Sequence, residues 1–481
     1  MSPKLTVSVV FVAAMFMAIM DITIVNVALP TLGRQFHVRP AAIDTVVVGF
    51  LVSLAVFIPA SGWLGDRFGT KRVLLAALAI FTGASALCGL AQNLTELVLF
   101  RVLQGVGGGM LTPVGMAMLY RTFPPEERIG ASRILTVPTA FAPALGPVLG
   151  GLLVTTLSWR WVFYVNLPIG VAAFVFGALF LHEHREEDAG RFDLGGFVLA
   201  GAGFASVMYA ISEGPSRGWG SALIAGLGIA GAVAIAALVA YELRRRDPLI
   251  DFRLLRDRGF RTTTVVMFLG TSAFLGVLYV VALFFQVGLG ASPLVSGLST
   301  FPEAIGVMVG AQVATRIYPR IGPRRIIAAG LTGVATMTSL MALVGFSTSL
   351  WWMRLLMFLL GLSMAHVFVP SQAAAFATIS PARTGRASTL FNAQRQLGSA
   401  LGVAVLSTVL ALVGTSTRVG AAVEPHLASY HLAFLTAALV ALAAAACTYW
   451  IRDSDAASTM APRPVEPPVA VTAPEVAPAL A

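Results

Sequence analysis

The sequence predicts an all-α integral membrane protein of about fourteen spanning helices, arranged as two bundles of six with a two-helix insert. Three observations predict this fold class. First, 57% of the 481 residues are hydrophobic and 11% are charged, with a mean hydropathy of +0.85, whereas a soluble globular chain carries about 25% charged residues. Apolar stretches of about 20 residues recur along almost the whole length, each long enough to cross a hydrocarbon core of about 30 Å as a helix. Second, the basic residues fall on one side of those stretches. Of the 32 Lys and Arg residues, Arg34, Arg39, Arg160, Arg217 and Arg418 lie on one side, Arg101, Arg354 and Arg395 lie within spans, and all others lie on the side of Lys4. Third, the turn Arg67-Phe-Gly69-Thr-Lys71-Arg72 recurs 253 residues later as Arg320-Ile-Gly322-Pro-Arg324-Arg325, and Gly146 and Gly150 recur at nearly the same offset as Gly398 and Gly402. Two bundles built on one plan explain such a repeat.

Taken in order, the spans are expected at 7–30, 43–64, 71–92, 95–120, 131–154 and 160–181, which form an N-terminal bundle over 1–181. The first starts at Lys4 and reads as an uncleaved helix, because Asp21 and Asn26 interrupt the apolar run and no small-residue cleavage pattern follows. A polar stretch, His182 to Asp193, leads to spans at 194–213 and 220–242 and then to the basic segment Arg244 to Arg261, so that 182–261 is linker and insert. Spans at 262–286, 294–317, 324–346, 351–378, 388–413 and 430–451 form the C-terminal bundle over 262–451. The tail, 452–481, is rich in Pro and Ala and reads as a disordered cytoplasmic segment. By the excess of basic residues on cytoplasmic loops, both termini are expected in the cytoplasm of a multi-pass inner-membrane protein. Loops on the other side are short apart from roughly 414–430.

A net charge of +10 and a pI near 10.3 do not point to nucleic acid, since the basic residues sit between apolar segments and form no stripe on a soluble face. Cys88 and Cys447 lie inside apolar segments, away from metal-ligand or disulfide spacing. The stretch His182-Glu183-His184 has the wrong spacing for two metal ligands on one helical face. A phosphate-cradling loop is absent from the sequence, so ATP is not the expected energy source, and no metal or cofactor is expected.

Five stretches resemble signatures of the major facilitator superfamily. Gly62-Trp-Leu-Gly-Asp66-Arg67-Phe-Gly69-Thr-Lys71-Arg72 resembles its loop motif between helices 2 and 3, and Arg101-Val-Leu-Gln104-Gly105 its helix 4 motif. Pro143-Ala-Leu-Gly146-Pro147-Val-Leu-Gly150-Gly151 is similar to the helix 5 motif of antiporters. Asp21-Ile-Thr-Ile-Val-Asn26-Val-Ala-Leu-Pro30 and Trp159-Arg-Trp-Val-Phe163-Tyr-Val-Asn166-Leu-Pro168-Ile-Gly170 resemble the fourteen-helix drug:proton antiporters of the EmrB/QacA type. The second bundle matches more loosely, through Pro248-Leu-Ile-Asp251 and Asn392-Ala-Gln394-Arg395-Gln396-Leu-Gly398. The resemblance implies the major facilitator fold and proton-driven export of amphipathic or cationic small molecules by alternating access.

The same residues have a physical reading of their own. Asp21 lies about nine residues, or roughly 13 Å, from the outer end of helix 1, and Arg101 lies about 9 Å into helix 4 from that side, so the two can share a layer. Desolvation there favours a neutral carboxylate and a nearby Arg favours the ionised one, so movement of either helix would change its hold on a proton. A structural, hydrogen-bonding Asp is the alternative. Glu303 lies about ten residues into helix 10, where an unpaired charge is costly; it could carry a proton, meet cationic substrates, pair with Arg395, or be a satisfied interior Glu. Asp21, Arg101 and Glu303 are thus the proton-coupling candidates. Asn26, Gln104, Glu303 and Phe50, the last being the repeat counterpart of Glu303, are the substrate-cavity candidates. Gly62, Asp66, Arg67, Gly69 and Arg72 form either a conformational latch, with Asp66 near a helix N-terminus and paired to a neighbouring Arg, or simply a solvated turn. Pro143, Gly146, Pro147, Gly150 and Gly151 allow close helix contact and a kink.

The expected partners are small-molecule substrates, protons and the bilayer, acting on a single-chain transport unit; nothing in the sequence identifies a periplasmic adaptor. A dedicated exporter of one secondary metabolite or lipid is the alternative within transport. A channel would display a filter or charged ring, and an enzyme a nucleophile with its base or a metal cluster; neither is seen.

Overall fold

Helices occupy all fourteen expected positions in the computed structural model, which describes residues 2–460 apart from 39–42, 44, 187–189, 346, 415 and 420–421. They are α1 Pro3–Gln35, α2 Thr45–Phe68, α3 Thr70–Leu90, α4 Leu94–Thr122, α5 Arg128–Thr156, α6 Trp161–Phe180, α7 Leu194–Arg217, α8 Ala222–Glu242, α9 Arg258–Leu283, α10 Leu294–Ile321, α11 Pro323–Met341, α12 Leu350–Ala375, α13 Thr384–Val413 and α14 Leu427–Cys447. Among the described residues, 12 helices are long and apolar enough to cross a membrane; α5 and α11 are the two outside that set. Polar residues start many of them. Asn93 accepts from the Glu96 amide at 2.9 Å, Asp193 from Gly196 at 3.0 Å and Asp257 from Phe260 at 2.8 Å, each satisfying an amide that the first turn leaves without a partner.

The repeat read from the sequence governs the packing. In the first bundle α1 packs on α4, α5 and α6, α4 packs on α2 and α3, and α3 on α6; in the second, α9 packs on α12, α13 and α14, α12 on α10 and α11, and α11 on α14. Small residues allow the close crossings. A Cβ at Gly105 would lie 2.5 Å from the Phe50 carbonyl oxygen on α2, and one at Gly107 would lie 2.7 Å from that of Ala77 on α3, so α4 is wedged between two backbones. The bundles meet where α2 faces α13 and α5 faces α10. The insert closes one flank: α7 packs on both α2 and α13, and α8 on α7. Only 17% of the apolar window of α8 is buried, against 61% for α1, which leaves most of α8 to the bilayer.

The loop at 414–430 contains an antiparallel hairpin, Ser416–Val419 with Ala422–Pro425. The tail departs from expectation over its first residues. Asp453–Ala456 and Ala457–Met460 form helical turns, whereas 461–481 lie outside the described residues. Composition alone made this segment read as disordered; what orders it is tertiary contact. Asp453 accepts from the Arg324 amide at 3.0 Å and so caps α11, the Thr459 hydroxyl lies 2.7 Å from that of Tyr318, and Ser458 donates to the Ala377 carbonyl at 3.2 Å. Replacing Asp453 with Ala is expected to cost about 1 kcal/mol, the usual value of a lost cap, measurable as a lower unfolding temperature.

Candidate functional site

A polar cluster lies sealed inside the first bundle, assembled by four helices. Asp21 on α1, Ser85 on α3, Arg101 and Gln104 on α4, and Asn166 on α6 are all buried, Asp21 at 0% and Arg101 at 1% exposure. The Arg101 guanidinium donates through Nη1 to Asp21 Oδ2 at 2.5 Å and to Gln104 Oε1 at 2.7 Å, and through Nε to the Val46 carbonyl at 3.3 Å. On the other carboxylate oxygen, Gln104 Nε2 donates at 3.0 Å and Asn166 Nδ2 at 2.8 Å. Ser85 Oγ accepts from both amides, at 3.2 and 3.0 Å, and donates to the Phe163 carbonyl at 2.9 Å. Every donor next to Asp21 is thus aimed at an ionised carboxylate, the arrangement that makes a buried ion pair tolerable. Phe50 lies under the guanidinium, its ring centroid 4.2 Å from Cζ, adding a cation–π contact worth about 0.5–2 kcal/mol.

The structure therefore brings Asp21 and Arg101 together as their depths suggested. It places the substrate-cavity candidates Gln104 and Phe50 at 0% exposure within the first bundle, because Gln104 turns to Asp21 on α1 and Ser85 on α3 while Phe50 of α2 lies under the Arg101 guanidinium. Ser85 and Asn166 are the cluster members that sequence reasoning did not assign. Asn166 stood in plain view as an amide in an apolar span beside Pro168, while a single Ser in α3 carries no signal. The repeat does not reproduce the cluster. Counterparts of Asp21 and Gln104 at the 253-residue offset are Phe274 and Met357, both in the apolar core of the second bundle. Arg354, the counterpart of Arg101, stacks instead over Trp351 at 4.7 Å.

The other candidates are dispersed. Asn26 is exposed on α1, and five residues from Asp21 at about 100° per residue put it on a different face of that helix. Glu303 is 5% exposed, near the start of the long part of α10, where Gly361 of α12 lies against its backbone. Among the described residues no ion pair joins Glu303 to Arg395, so that pairing is not formed in this structure. In the helix 5 motif, Gly146 abuts the Thr23 side chain of α1, and a Cβ at Gly150 would lie 3.1 Å from the Ile24 carbonyl oxygen; Gly151 faces open space. Gly398 repeats this contact on α9, where its Cβ would lie 2.7 Å from the Phe268 carbonyl oxygen.

The loop motif divides in two. Gly62 and Asp66 lie in the seam between bundles: a Cβ at Gly62 would lie 2.5 Å from Thr389 Oγ1 and 3.0 Å from the Gly385 carbonyl oxygen, and the Asp66 carboxylate lies beside Gly385 in the first turn of α13. Its arginine partner is Arg121 from the end of α4, at 2.7 Å. Arg121 also approaches Glu186 at 3.4 Å and donates from Nε to the Pro381 carbonyl, across the seam, at 3.3 Å. Arg67 and Arg72 are exposed, and Arg72 reaches only Glu183 at 3.7 Å. Gly69, at φ +97°, takes a left-handed conformation that lets the chain turn into α3. Arg128 donates to the Phe376 carbonyl, and Arg133 to Gln312 at 2.8 Å, so this basic end of the molecule is tied shut from several helices.

The Major Facilitator Superfamily profile matches residues 11–403. A relative named multidrug resistance protein B homolog, from Mycobacterium tuberculosis (strain ATCC 25618 / H37Rv), is 32% identical over 438 residues, covering 86% of this chain and 81% of its own. A putative multidrug resistance protein MdtD from Serratia proteamaculans is 31% identical over 395 residues, 82% of this chain and 83% of its own. Among solved structures, the human organic anion transporter MFSD10 superposes with a TM-score of 0.68 at 16% identity, over 93% of this chain and 100% of that one, and the proton:xylose symporter XylE with 0.63 at 14%, over 93% and 95%. With its two repeated bundles and that match, the chain belongs to the Major Facilitator Superfamily of membrane transporters.

Proposed function

We propose that the protein exports amphipathic or cationic small molecules across the cytoplasmic membrane in exchange for protons, with Asp21 as the proton carrier. The carrying observation is the Asp21 site: one fully buried carboxylate holding three donors from two other helices. A proton on that carboxylate would face donors on both oxygens, so the cluster cannot accept it unchanged. Protonation therefore loosens α1 from α4 and α6, and loss of the proton draws them together. The multidrug resistance names of its relatives support the export of drug-like compounds. The proposed orientation places the basic end in the cytoplasm, which makes this state closed to the cytoplasm. Protonation from outside would bias the return to the inward-facing state, and release to the cytoplasm would accompany uptake of the next substrate. Asn26 and Glu303, outside the sealed cluster, are the proposed substrate contacts.

The test is efflux of a fluorescent lipophilic cation from vesicles with and without an imposed proton gradient. Native protein is expected to show gradient-dependent efflux, and Asp21→Asn to lose it by at least an order of magnitude. Undiminished gradient-driven efflux in that variant would remove Asp21 from the mechanism, and no efflux from native protein would favour a narrower substrate.

A further inference from the structure

We infer that Asn166 is a positioning residue that switches its side-chain amide between two hydrogen-bonding orientations as Asp21 gains and loses its proton; this rests on the reading of Asp21 as the proton carrier. The observation behind it is an imbalance in an otherwise filled network. Asn166 is 0% exposed and its Nδ2 serves both Asp21 Oδ1 and Ser85 Oγ, yet its Oδ1 is buried with no hydrogen-bond donor. A buried acceptor without a donor is costly, and this one leaves hydrogen-bonding capacity directly beside the Asp21 carboxylate.

The proton count identifies that use. Asp21 Oδ2 is taken by Arg101 at 2.5 Å, so a proton enters on Oδ1, the side of the two amides. Its O–H then needs an acceptor. Gln104 Oε1 already accepts from Arg101 at 2.7 Å, and Ser85 Oγ already accepts from both amides while donating to Phe163. Asn166 Oδ1 is the neighbouring acceptor with free capacity. Rotation of its amide by half a turn brings Oδ1 to the Asp21 O–H and withdraws Nδ2 from Asp21 and from Ser85. Ser85 keeps the Gln104 donor, so the exchange specifically breaks the Asn166 tie between α6 and α3. The titratable groups facing Asp21 are Arg101 from α4 and Cys88 from α3, whose Sγ lies 3.8 Å from Gln104 Oε1. The charges of α2 are Asp66 and Arg67 and those of α5 are Arg128 and Arg133, all at the basic end, and α6 carries none.

Infrared difference spectroscopy on the full chain in lipid, triggered by a pH jump, tests this. The chain contains four asparagines, Asn26, Asn93, Asn166 and Asn392; replacing Asn26 and Asn392 with Gln and the capping Asn93 with Ser, which keeps an N-cap acceptor, leaves Asn166 as the one asparagine and removes none of the donors to Asp21. The expected result is a protonated-carboxyl band that is lost in Asp21→Ser, accompanied by an amide C=O band that moves to lower wavenumber with 13C-labelled asparagine and is also lost in Asp21→Ser, a variant that adds no asparagine. A carboxyl band of Asp21 with no label-sensitive amide band would overturn the switch while leaving the carrier intact. Absence of any Asp21 carboxyl band would overturn both, so the two failures read differently.

Discussion

Replacing Arg101 with Ala is expected to destabilise the protein by about 3–5 kcal/mol, the range for stranding one member of a buried pair. The Asp21 carboxylate would keep only Gln104 and Asn166 as donors, the Val46 carbonyl would lose its side-chain donor, and the Phe50 face would lose its cation. Because the cluster joins α1, α3, α4 and α6, the loss should appear as a lower unfolding temperature of the whole molecule in detergent and as loss of gradient-driven efflux. Arg101→Lys should rescue little, since a single ammonium cannot hold Asp21, Gln104 and Val46 in the planar arrangement of a guanidinium. In the double variant Arg101→Ala, Asp21→Ala the stability should recover in part, because no buried charge is left unpaired. Equal unfolding temperatures for Arg101→Ala and native protein would refute the account of the cluster as a charge pair held by packing.

Replacing Arg121 with Ala should release the basic end. This one side chain neutralises Asp66 and Glu186 and reaches the Pro381 carbonyl of the other bundle; without it, two carboxylates are left facing each other at the mouth of the seam. A loss of about 3 kcal/mol from the closed state alone would shift the equilibrium between states by about two orders of magnitude. Spin labels at Pro124 and Ala382, both exposed on the turns flanking the seam, should report a longer distance in Arg121→Ala than in native protein. Arg67→Ala, which alters the same motif but an exposed side chain, should leave that distance unchanged. The same distance in both variants would mean that Arg121 does not hold the seam.

Much of this was legible in the sequence for a physical reason. In a bilayer each span must satisfy its own backbone, so a run such as Val7 to Ala28 can only be a helix, and the side of the basic residues orders the turns. The Asp21 and Arg101 pairing was legible because helix rise converts residue number into depth, and two opposite charges at one depth rarely remain apart. Depth has no rotational component, however. Gln104 and Phe50 lie at the depth of Asp21 and Arg101, and only the bonds of Gln104 to α1 and α3 and the seat of Phe50 under Arg101 show that they face inward. The tail erred in the opposite sense: Asp453 and Thr459 sit in a polar, weakly hydrophobic stretch, and their order comes from Arg324 and Tyr318, more than a hundred residues away in the chain.

Membrane class, helices, repeat and the two charges of the cluster can be read along the chain, since hydrophobic length, basic asymmetry and burial cost act residue by residue. The tertiary structure alone decided which arginine holds Asp66, that Ser85 and Asn166 complete the Asp21 site, and that Glu303 and Arg395 stay apart. Those are matters of helix rotation and crossing, which depend on how small residues of one helix admit the backbone of another, and no single segment carries that information.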